Sequence, residues 1–356
     1  MRIRKLKLNN FRNFSESEIT ISDGTTIFFG GVGEGKTNLI EAIFMLSVGR
    51  SYRTTEMHQV ISWGKNEAYV RGEGQNSCGS FSVGLKVTKS GKRIELNGEQ
   101  NRKTVELVGG LRSVIFHGDD TGIVAGPPQT RRRFLDIAIS QASKNYLYKL
   151  RDYYRALKQR NSALLTIKHS NICEWDEQLS TIGSWITQIR ATVLAEISQR
   201  AGVYVGAIAG EEKALEIRYV PSGSERSDEF NMKLSKAIKL DIARGSTSVG
   251  PHRDDFKIML DGADARHYAS SGEKKTIALS IKLAEVEFMR SVTGEKPILL
   301  MDDVFSSLDL KRSKSLMGVT GDGSQCIITL TDLNLLRSGF GSGAALYEVK
   351  QGRISQ

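Results

Sequence analysis

Apolar and polar residues alternate in the first part of the chain, a pattern typical of β-strands. Apolar residues alternate with basic ones over residues 3–8, and residues 25–29 form a β-branched and aromatic run that predicts a buried strand. Residues 39–46 then carry apolar side chains at helical spacing. Further alternating segments follow, and Asn97-Gly98 is a strong signal for a hairpin turn. The chain up to about residue 115 therefore predicts a lobe rich in antiparallel strands.

Helical spacing dominates after Gly126-Pro127-Pro128, which we interpret as a boundary. Apolar side chains mark one long helix over residues 146–164 and another over residues 175–197, with a short polar joint around residues 169–171. Two long amphipathic helices with a short joint predict an antiparallel helical arm. Strand-like and helical segments then alternate up to a buried strand near residue 300.

The loop between the first buried strand and the first helix fits the phosphate-loop pattern of Gly, four residues, then Gly-Lys-Thr. Glycines let successive backbone N–H groups turn toward phosphate oxygens, and the helix dipole favours the same anion. Lys36 is predicted to contact the β- and γ-phosphates of ATP, and the Thr37 hydroxyl to ligate Mg²⁺. A glycine-rich turn that matches by chance is the alternative, which the flanking strand and helix disfavour. The predicted ATP-binding residues in this loop are Gly30, Gly31, Val32, Gly33, Glu34, Gly35, Lys36, Thr37 and Asn38.

Two later segments supply the rest of an ATP site. Residues 297–303 read as a buried strand ending in Asp302, which would orient Mg²⁺, and Asp303, which would activate the attacking water. A Ser-x-Gly-Glu segment opens a helix upstream, where a hydroxyl, backbone N–H groups and a helix dipole favour an anion. Simple helix caps are the alternative for both. The order of the elements is that of ABC-type ATPase heads, in which this signature segment of one subunit closes over the γ-phosphate held by another. The signature residues are Ser270, Ser271, Gly272, Glu273 and Lys274.

Composition narrows the class of protein. The chain has 356 residues, 39% of them hydrophobic, enough for two domains or for one domain with a large insertion. No stretch approaches the roughly 20 apolar residues of a membrane span, and the N-terminus lacks the apolar core of a signal peptide. We therefore expect a cytoplasmic protein with no membrane partner. Cys78, Cys173 and Cys326 are far apart, which indicates neither a disulfide framework nor a zinc site.

A net charge of +10 favours a polyanionic partner. The charge is concentrated between residues 131 and 160, where nine basic residues accompany two acidic ones. Contact with a nucleic-acid backbone and a merely solvated basic surface both fit this density, and the aromatic residues nearby favour core packing over base stacking. The candidate DNA contacts are Arg131, Arg132, Arg133, Lys149 and Arg151.

Six segments of the chain, in the same order, resemble the RecF family of bacterial recombination-repair proteins, and the likeness spans nearly the whole sequence. It implies an α/β fold: an ABC-type, SMC-like P-loop ATPase head with a mostly helical second lobe. It also implies an ATP-dependent homodimer, binding to duplex and gapped DNA, slow ATP hydrolysis, and work with RecR and RecO to place RecA on gaps coated with single-strand-binding protein. The segments are residues 10–14, 30–39, 131–136, 156–161, 250–255 and 269–285.

The resemblance also implies roles for residues outside the ATP motifs. Arg12 and Asn13 would contact ATP, and Asp309 would lie in a loop that crosses the dimer interface. Thr331 and Asp332 occupy the position where other ABC heads place a histidine.

The chain departs from the family pattern at four places. Val32 stands where the phosphate loop usually has Asn, and Lys275 replaces the usual Arg of the signature. Ser307 replaces Glu in a Ser-Glu-Leu-Asp loop, and residues 117–120 replace a Phe-x-Pro-Glu-Asp segment. None of these changes removes a group that ATP chemistry requires; they bear on the hydrolysis rate and on the strength of dimer closure.

We predict an ATPase lobe made of residues 1–125 and 245–356, with a helical arm lobe of residues 126–244 inserted between them. The leading hypothesis is an ATP-switched DNA-binding protein of the RecF type. A transport-type or nuclease-linked ABC ATPase is disfavoured by the basic arm, and an SMC relative by the shortness of the arm. A metal-dependent hydrolase built on His252, Asp254 and Asp255 is disfavoured because no second His-containing pair lies at ligand spacing.

Overall fold

The chain folds into two compact units. A computed structural model describes residues 1–166, 171–210, 212–307, 313, 316, 323–331 and 343–356, apart from the side chains of Asn101 and Ser307. The strand-rich unit consists of Met1–Asp120 and Glu285–Gln356, and the helical unit of Thr121–Ala284. Within the described ranges, no helix is both long and apolar enough to span a bilayer.

One sheet of the strand-rich unit is antiparallel. The predicted turn at Asn97 and Gly98 is confirmed: both residues have positive φ, at 50° and 86°, as a two-residue hairpin requires. Neighbouring strands follow the order β2-β1-β4-β5-β6-β7. Their bounds are β1 (Arg2–Phe11), β2 (Phe14–Thr20), β4 (Glu67–Asn76), β5 (Gly79–Thr88), β6 (Gly91–Leu96) and β7 (Glu99–Arg102).

The other sheet of this unit is mostly parallel and carries the ATP motifs. Because parallel strands place their carboxyl ends at one edge, the residues after Phe29, His117, Asp302 and Leu330 lie near one another. The order is β15-β14-β3-β13-β12-β8, with β15 antiparallel to β14. The bounds are β3 (Thr25–Phe29), β8 (Ser113–His117), β12 (Ile298–Asp302), β13 (Cys326–Leu330), β14 (Ala345–Lys350) and β15 (Arg353–Ser355).

Helix α1 (Lys36–Val48) follows β3 and lies between the two sheets. It is buried on nearly every side, and Leu39, Ile40 and Ile43 are fully buried. The helix ends at Gly49, whose φ of 71° is a left-handed conformation that glycine adopts without strain. A short helix, α2 (Thr104–Leu107), also belongs to this unit.

The helical unit combines long helices with a three-stranded antiparallel sheet. Helix α9 begins in this unit and continues into the strand-rich unit beyond Ala284. The elements are α3 (Thr121–Ala125), α4 (Pro128–Ala142), α5 (Lys144–Leu164), α6 (Ile172–Ala209), β9 (Leu215–Val220), α7 (Ser227–Arg244), β10 (Asp255–Leu260), β11 (Ala263–Asp264), α8 (Ala265–Tyr268) and α9 (Ser271–Thr293).

The predicted antiparallel arm is confirmed. Tyr146 near the start of α5 bonds Arg190 at the middle of α6, whereas Arg160 near the end of α5 bonds Asp176 near the start of α6. Helix α6 continues beyond the predicted end at residue 197, because buried apolar side chains recur at helical spacing as far as Ile208. Most of the joint lies outside the described residues.

Contacts divide the chain at different residues from the predicted boundaries. The first division falls after Asp120 instead of residue 125, and the second after Ala284 instead of residue 244. The physical reason for the second shift is that β10 pairs with β9 along its whole length and α4 packs against β10. The signature segment therefore belongs to the helical unit.

Two fully buried arginines join the helices of this unit. Arg160 donates to Asp176 Oδ1 at 2.5 Å, to Asp241 Oδ2 at 2.7 Å and to Thr247 Oγ1 at 2.8 Å. Its remaining nitrogen, Nη2, is buried and has no hydrogen-bond partner among the described residues.

Arg190 is the centre of the second buried network. It donates to Asp136 Oδ1 at 2.7 Å, to Tyr146 Oη at 2.9 Å, to the Pro251 carbonyl at 2.7 Å and to Asp254 Oδ2 at 3.1 Å. Burial alone would lower the pKa of Arg190, but the nearby carboxylates outweigh it and the pKa is raised. The guanidinium therefore stays charged and links α4, α5, α6 and the segment before β10.

We expect Arg190→Ala to lower the free energy of unfolding of the helical unit by about 3–5 kcal/mol, because it leaves Asp136 and Asp254 buried without their partner. Urea unfolding followed by circular dichroism measures the change. Arg200→Ala removes the same side chain from the same helix, where it pairs with Glu196 at a partly exposed site, and should cost at most about 1 kcal/mol. Equal losses in the two variants would contradict a structural role for the buried network.

Candidate nucleotide-binding site

At two positions of the loop between β3 and α1, only glycine fits the backbone conformation and the space available. Gly30 and Gly35 have φ of 150° and 116°. A Cβ at Gly30 would lie 2.3 Å from the carbonyl oxygen of Val349, and one at Gly35 would lie 2.6 Å from Asn13 Nδ2. The backbone conformation of the loop therefore explains why glycine occupies these two positions. Val32 at the tip of the loop is 89% exposed.

Side chains and backbone from distant segments brace this loop at Glu34. Asn13 Nδ2 donates to the Glu34 carbonyl at 2.8 Å, and Asn13 Oδ1 accepts from Asn38 Nδ2 at 2.8 Å. From the turn between β14 and β15, the Gly352 N–H donates to the same carbonyl at 3.1 Å, and the Gln351 N–H donates to the Glu34 carboxylate. The loop is thus held in shape from two sides.

Lys36 points into the loop. Its Nζ donates to the carbonyl oxygens of Gly30 at 2.8 Å and Gly31 at 2.6 Å. Burial is the largest influence and lowers the pKa of Lys36, with Asp303 and Asp302 opposing it only in part. A phosphate anion at this position would favour the charged ammonium further.

Asp302 connects the phosphate loop to the strand edge. Its Oδ1 accepts hydrogen bonds from the hydroxyls of Thr37 at 2.8 Å and Thr329 at 3.0 Å. Its Oδ2 accepts from the Tyr52 hydroxyl at 3.0 Å. Residues from three separate segments therefore meet on one carboxylate.

Asp303 lies directly beside this cluster in a strained backbone conformation, with φ of 51°. Its N–H donates to Thr329 Oγ1 at 2.9 Å, and its Oδ1 accepts from the Thr331 hydroxyl at 2.8 Å. The structure thus brings Thr331 to Asp303, and its role as a sensor stays a prediction. Asp309 and Asp332 lie outside the described residues, as does the side chain of Ser307.

The donor set fits Mg²⁺ bound together with a triphosphate. The Thr37 hydroxyl and the Asp302 carboxylate are hard oxygen donors 2.8 Å apart, and Mg²⁺ characteristically takes one or two protein oxygens with phosphates and waters. The part of the chain that the structure describes holds no cluster of three or more His, Cys, Asp or Glu side chains suited to a metal.

Arg12 is held by a buried glutamate of α1. Its guanidinium donates to Glu41 Oε1 at 2.7 Å and Oε2 at 2.9 Å and to the Gln59 carbonyl at 2.8 Å. Glu41 is fully buried in α1 and also accepts from Ser51 and Arg53. Arg12 therefore supports α1, and its contact with ATP stays a prediction.

The signature segment forms a capped helix start. The Ser270 N–H donates to Glu273 Oε2 at 2.9 Å, and the Glu273 N–H donates to Ser270 Oγ at 3.2 Å, which is a capping box. These bonds from Ser270 are the main cause that lowers the pKa of Glu273. Ser270 and Ser271 are exposed, while Gly272, Glu273 and Lys274 are partly exposed.

The prediction that Arg131 contacts DNA is wrong, because its side chain is buried. Its guanidinium is 3% exposed and donates to Asp255 at 2.6 and 3.0 Å. Arg132 donates to the Asp254 carbonyl at 2.7 Å, and partial burial lowers the pKa of Arg133. Lys149 and Arg151 are exposed.

The geometry gives no support to the alternative of a metal-dependent hydrolase built on His252, Asp254 and Asp255. The ring of His252 lies between the Tyr153 hydroxyl at 2.8 Å and the Thr247 carbonyl at 2.9 Å, and burial lowers its pKa to about 4. Asp254 bonds Arg190 and Asp255 bonds Arg131, so the two carboxylates serve separate structural pairs.

Three residues of the nucleotide site belong to no recognisable sequence motif. Tyr52 follows the first helix in an irregular segment, Thr329 is one position of a buried strand, and Glu41 falls in an apolar helix. A charged residue at a buried helical position, as at Glu41, is the one signal that indicates a special role.

Comparisons with known proteins agree with this geometry. The model of the RecF/RecN/SMC N-terminal domain family matches residues 2–354. The "DNA replication and repair protein RecF" of Clostridium acetobutylicum is 35% identical over 363 residues, which covers 100% of both chains. That of Oenococcus oeni is 35% identical over 371 residues and 99% of both chains.

Solved structures give the same result. A structure of "the recombination mediator protein RecF-ATP in RecFOR pathway" matches with a TM-score of 0.90 at 32% identity, over 99% of this chain and 96% of that one. The SMC head bound to the winged-helix domain of ScpA matches with a TM-score of 0.57 at 17% identity, over 100% of this chain and 96% of that one, and shows the fold alone.

The phosphate loop, the acidic strand end and the full-length likeness lead to one conclusion: the chain belongs to the RecF family of DNA replication and repair proteins and has the fold of an ABC-type ATPase head.

Proposed function

We propose that this chain is an ATP-switched DNA clamp of recombinational repair, in which ATP joins two copies on DNA and slow hydrolysis separates them. The observation that carries the proposal is the hydrogen-bonded link from Thr37 through Asp302 and Thr329 to Asp303 and Thr331. That link joins the glycine-rich loop and two carboxylates at one sheet edge, which supports their proposed roles in binding phosphate, orienting Mg²⁺ and activating water. These are the parts that ATP hydrolysis requires.

Within this site Lys36 would exchange its two carbonyl partners for the β- and γ-phosphates. Thr37 and Asp302 would hold Mg²⁺, which when bound neutralises phosphate charge. Asp303 would accept a proton from the attacking water, while Thr331 fixes the orientation of its carboxylate. With Thr331 in place of the histidine of other ABC heads, we propose slow turnover, suited to a timed switch.

The signature segment would complete the site of a second copy. Ser270 and Ser271 are exposed at the start of α9, where the helix dipole favours an anion. The Ser270 hydroxyl donates to Glu273 Oε2 at 2.8 Å, so contact with a γ-phosphate would require that hydroxyl to rotate. ATP shared between two copies would then stabilise the dimer by mass action.

The DNA-binding surface would be the outer face of α5. Exposed residues at helical spacing form a basic stripe on this face, interrupted by the partly exposed ring of Tyr148. Arg151 lies over that ring at 5.2 Å and also pairs with Asp152 at 3.0 Å. Such a row suits the phosphates of duplex or gapped DNA, with little sequence preference. We call Lys144, Tyr148, Arg151, Arg155 and Lys158 the α5 stripe; Lys149 lies beside it.

The partners proposed are DNA, RecR and RecO, and through them RecA at single-strand gaps. The support for them is family membership, together with the likeness to a protein described as a recombination mediator of the RecFOR pathway.

We expect ATP and Mg²⁺ to convert the wild type from monomer to dimer in the presence of duplex DNA. Lys36→Ala should stay monomeric because the phosphates lose their cation, and Asp303→Asn should remain dimeric because it binds ATP without hydrolysing it. Sedimentation velocity with and without ATP measures both. Asp261→Asn is the matched control for Asp303→Asn. Asp261 has the same φ of 51° and lies in the turn between β10 and β11. If the wild type has the same oligomeric state with and without ATP, the clamp mechanism is overturned.

Charge reversal on the α5 stripe should weaken DNA binding and its salt dependence together. For Arg151→Glu with Arg155→Glu, we expect the slope of log affinity against log salt to lose about 2 in magnitude, because each phosphate contact contributes about 0.9. Fluorescence anisotropy of labelled duplex DNA over a salt series gives the slope. The control Lys65→Glu with Lys89→Glu makes the same change in net charge at exposed turns of the strand-rich unit. The same slope in the stripe variant and the control would remove α5 from the proposal.

A further inference from the structure

The segment after α1 returns to the nucleotide site and is fixed on both sides of Tyr52. Ser51 Oγ donates to Glu41 Oε1 at 2.5 Å. Arg53 Nη1 donates to Asn38 Oδ1 at 2.7 Å and to Glu41 Oε2 at 3.1 Å. Because both anchors belong to α1, the backbone at Tyr52 is held against the helix that carries the phosphate loop.

The ring of Tyr52 is fixed independently of its backbone. It stacks on His117 with ring centroids 5.2 Å apart and an interplanar angle of 23°, and it meets Phe44 edge-on at 5.5 Å. His117 ends β8 and is the register partner of Asp302 on β12. The ring therefore lies on the same strand edge as the carboxylate that it contacts.

The Tyr52 hydroxyl supplies the one hydrogen bond to Asp302 Oδ2, at 3.0 Å, that the described residues make. The other oxygen, Oδ1, is held by Thr37 and Thr329. The Tyr52 hydroxyl is the donor in this bond, because a carboxylate oxygen accepts. With donors on both oxygens, rotation of the carboxylate about its Cβ–Cγ bond is restrained.

We propose that Tyr52 is a positioning residue for Mg²⁺: its hydroxyl fixes the plane of the Asp302 carboxylate so that the metal and its waters meet a preformed acceptor. The inference rests on the proposed function, because it concerns the same ATP site. Groups that orient a metal's carboxylate partners typically change metal affinity by 10- to 100-fold when they are removed.

The test is the Mg²⁺ dependence of nucleotide binding by Tyr52→Phe, which removes one oxygen and keeps the stacked ring. We expect the Mg²⁺ concentration that half-saturates binding of a fluorescent ATP analogue to rise about tenfold. Affinity for the same analogue in EDTA should stay unchanged. Tyr69→Phe is the matched control, since its hydroxyl bonds Glu95 at 3.3 Å on the antiparallel sheet, away from the site.

A double-mutant cycle separates positioning from a structural effect. If Tyr52 acts through Asp302, Tyr52→Phe should have no further effect on the Mg²⁺ midpoint in an Asp302→Asn background. An unchanged Mg²⁺ midpoint in Tyr52→Phe would overturn the proposal, and so would an equal loss of affinity with Mg²⁺ and with EDTA. If the wild type itself binds no nucleotide, the proposed function fails and this inference fails with it.

Discussion

The hydrogen bond from Thr37 to Asp302 is the contact on which the site depends. It joins two residues separated by 265 positions in the sequence, and it exists only because β3, β13 and β12 are adjacent and parallel. Their carboxyl ends then bring a loop, an acidic pair and two threonines to one edge. A carboxylate is costly to desolvate, and the three hydroxyls that donate to Asp302 offset part of that cost.

Sequence reasoning predicted the parts of this site whose chemistry leaves a local pattern. Glycines at Gly30 and Gly35, the lysine and threonine after them, and an apolar strand ending in Asp302 are each dictated by a backbone shape or by a ligand. Tyr52 and Thr329 were beyond that reasoning, because their roles arise from contacts between distant segments. Arg12 shows a further limit: its motif was recognised from the sequence, but its pairing with the buried Glu41 of α1 was not.

The basic arm shows why counting charges has limits. The helical periodicity of α5 and α6 predicted two antiparallel helices, and the structure has them. Yet Arg131 and Arg160, which contribute to the charge excess of that region, are buried and paired with aspartates from other elements. The partners in β10 and α7 are remote in sequence, so no local window distinguishes an internal arginine from a surface one. The second domain boundary differs from the predicted one for the same reason, because β10 pairs with β9 in the helical unit.

The bracing of Glu34 by Gln351 has a consequence for the order of events during synthesis. The two residues are 317 positions apart, so the phosphate loop emerges from the ribosome long before the turn that supports it. Asn13 is available early, whereas the β14–β15 turn and the strand carrying Asp302 come late. Contacts of such long range form slowly because the loop-closure entropy must be paid first. The nascent chain therefore passes through a stage in which the loop has been synthesised but the turn that supports it has not.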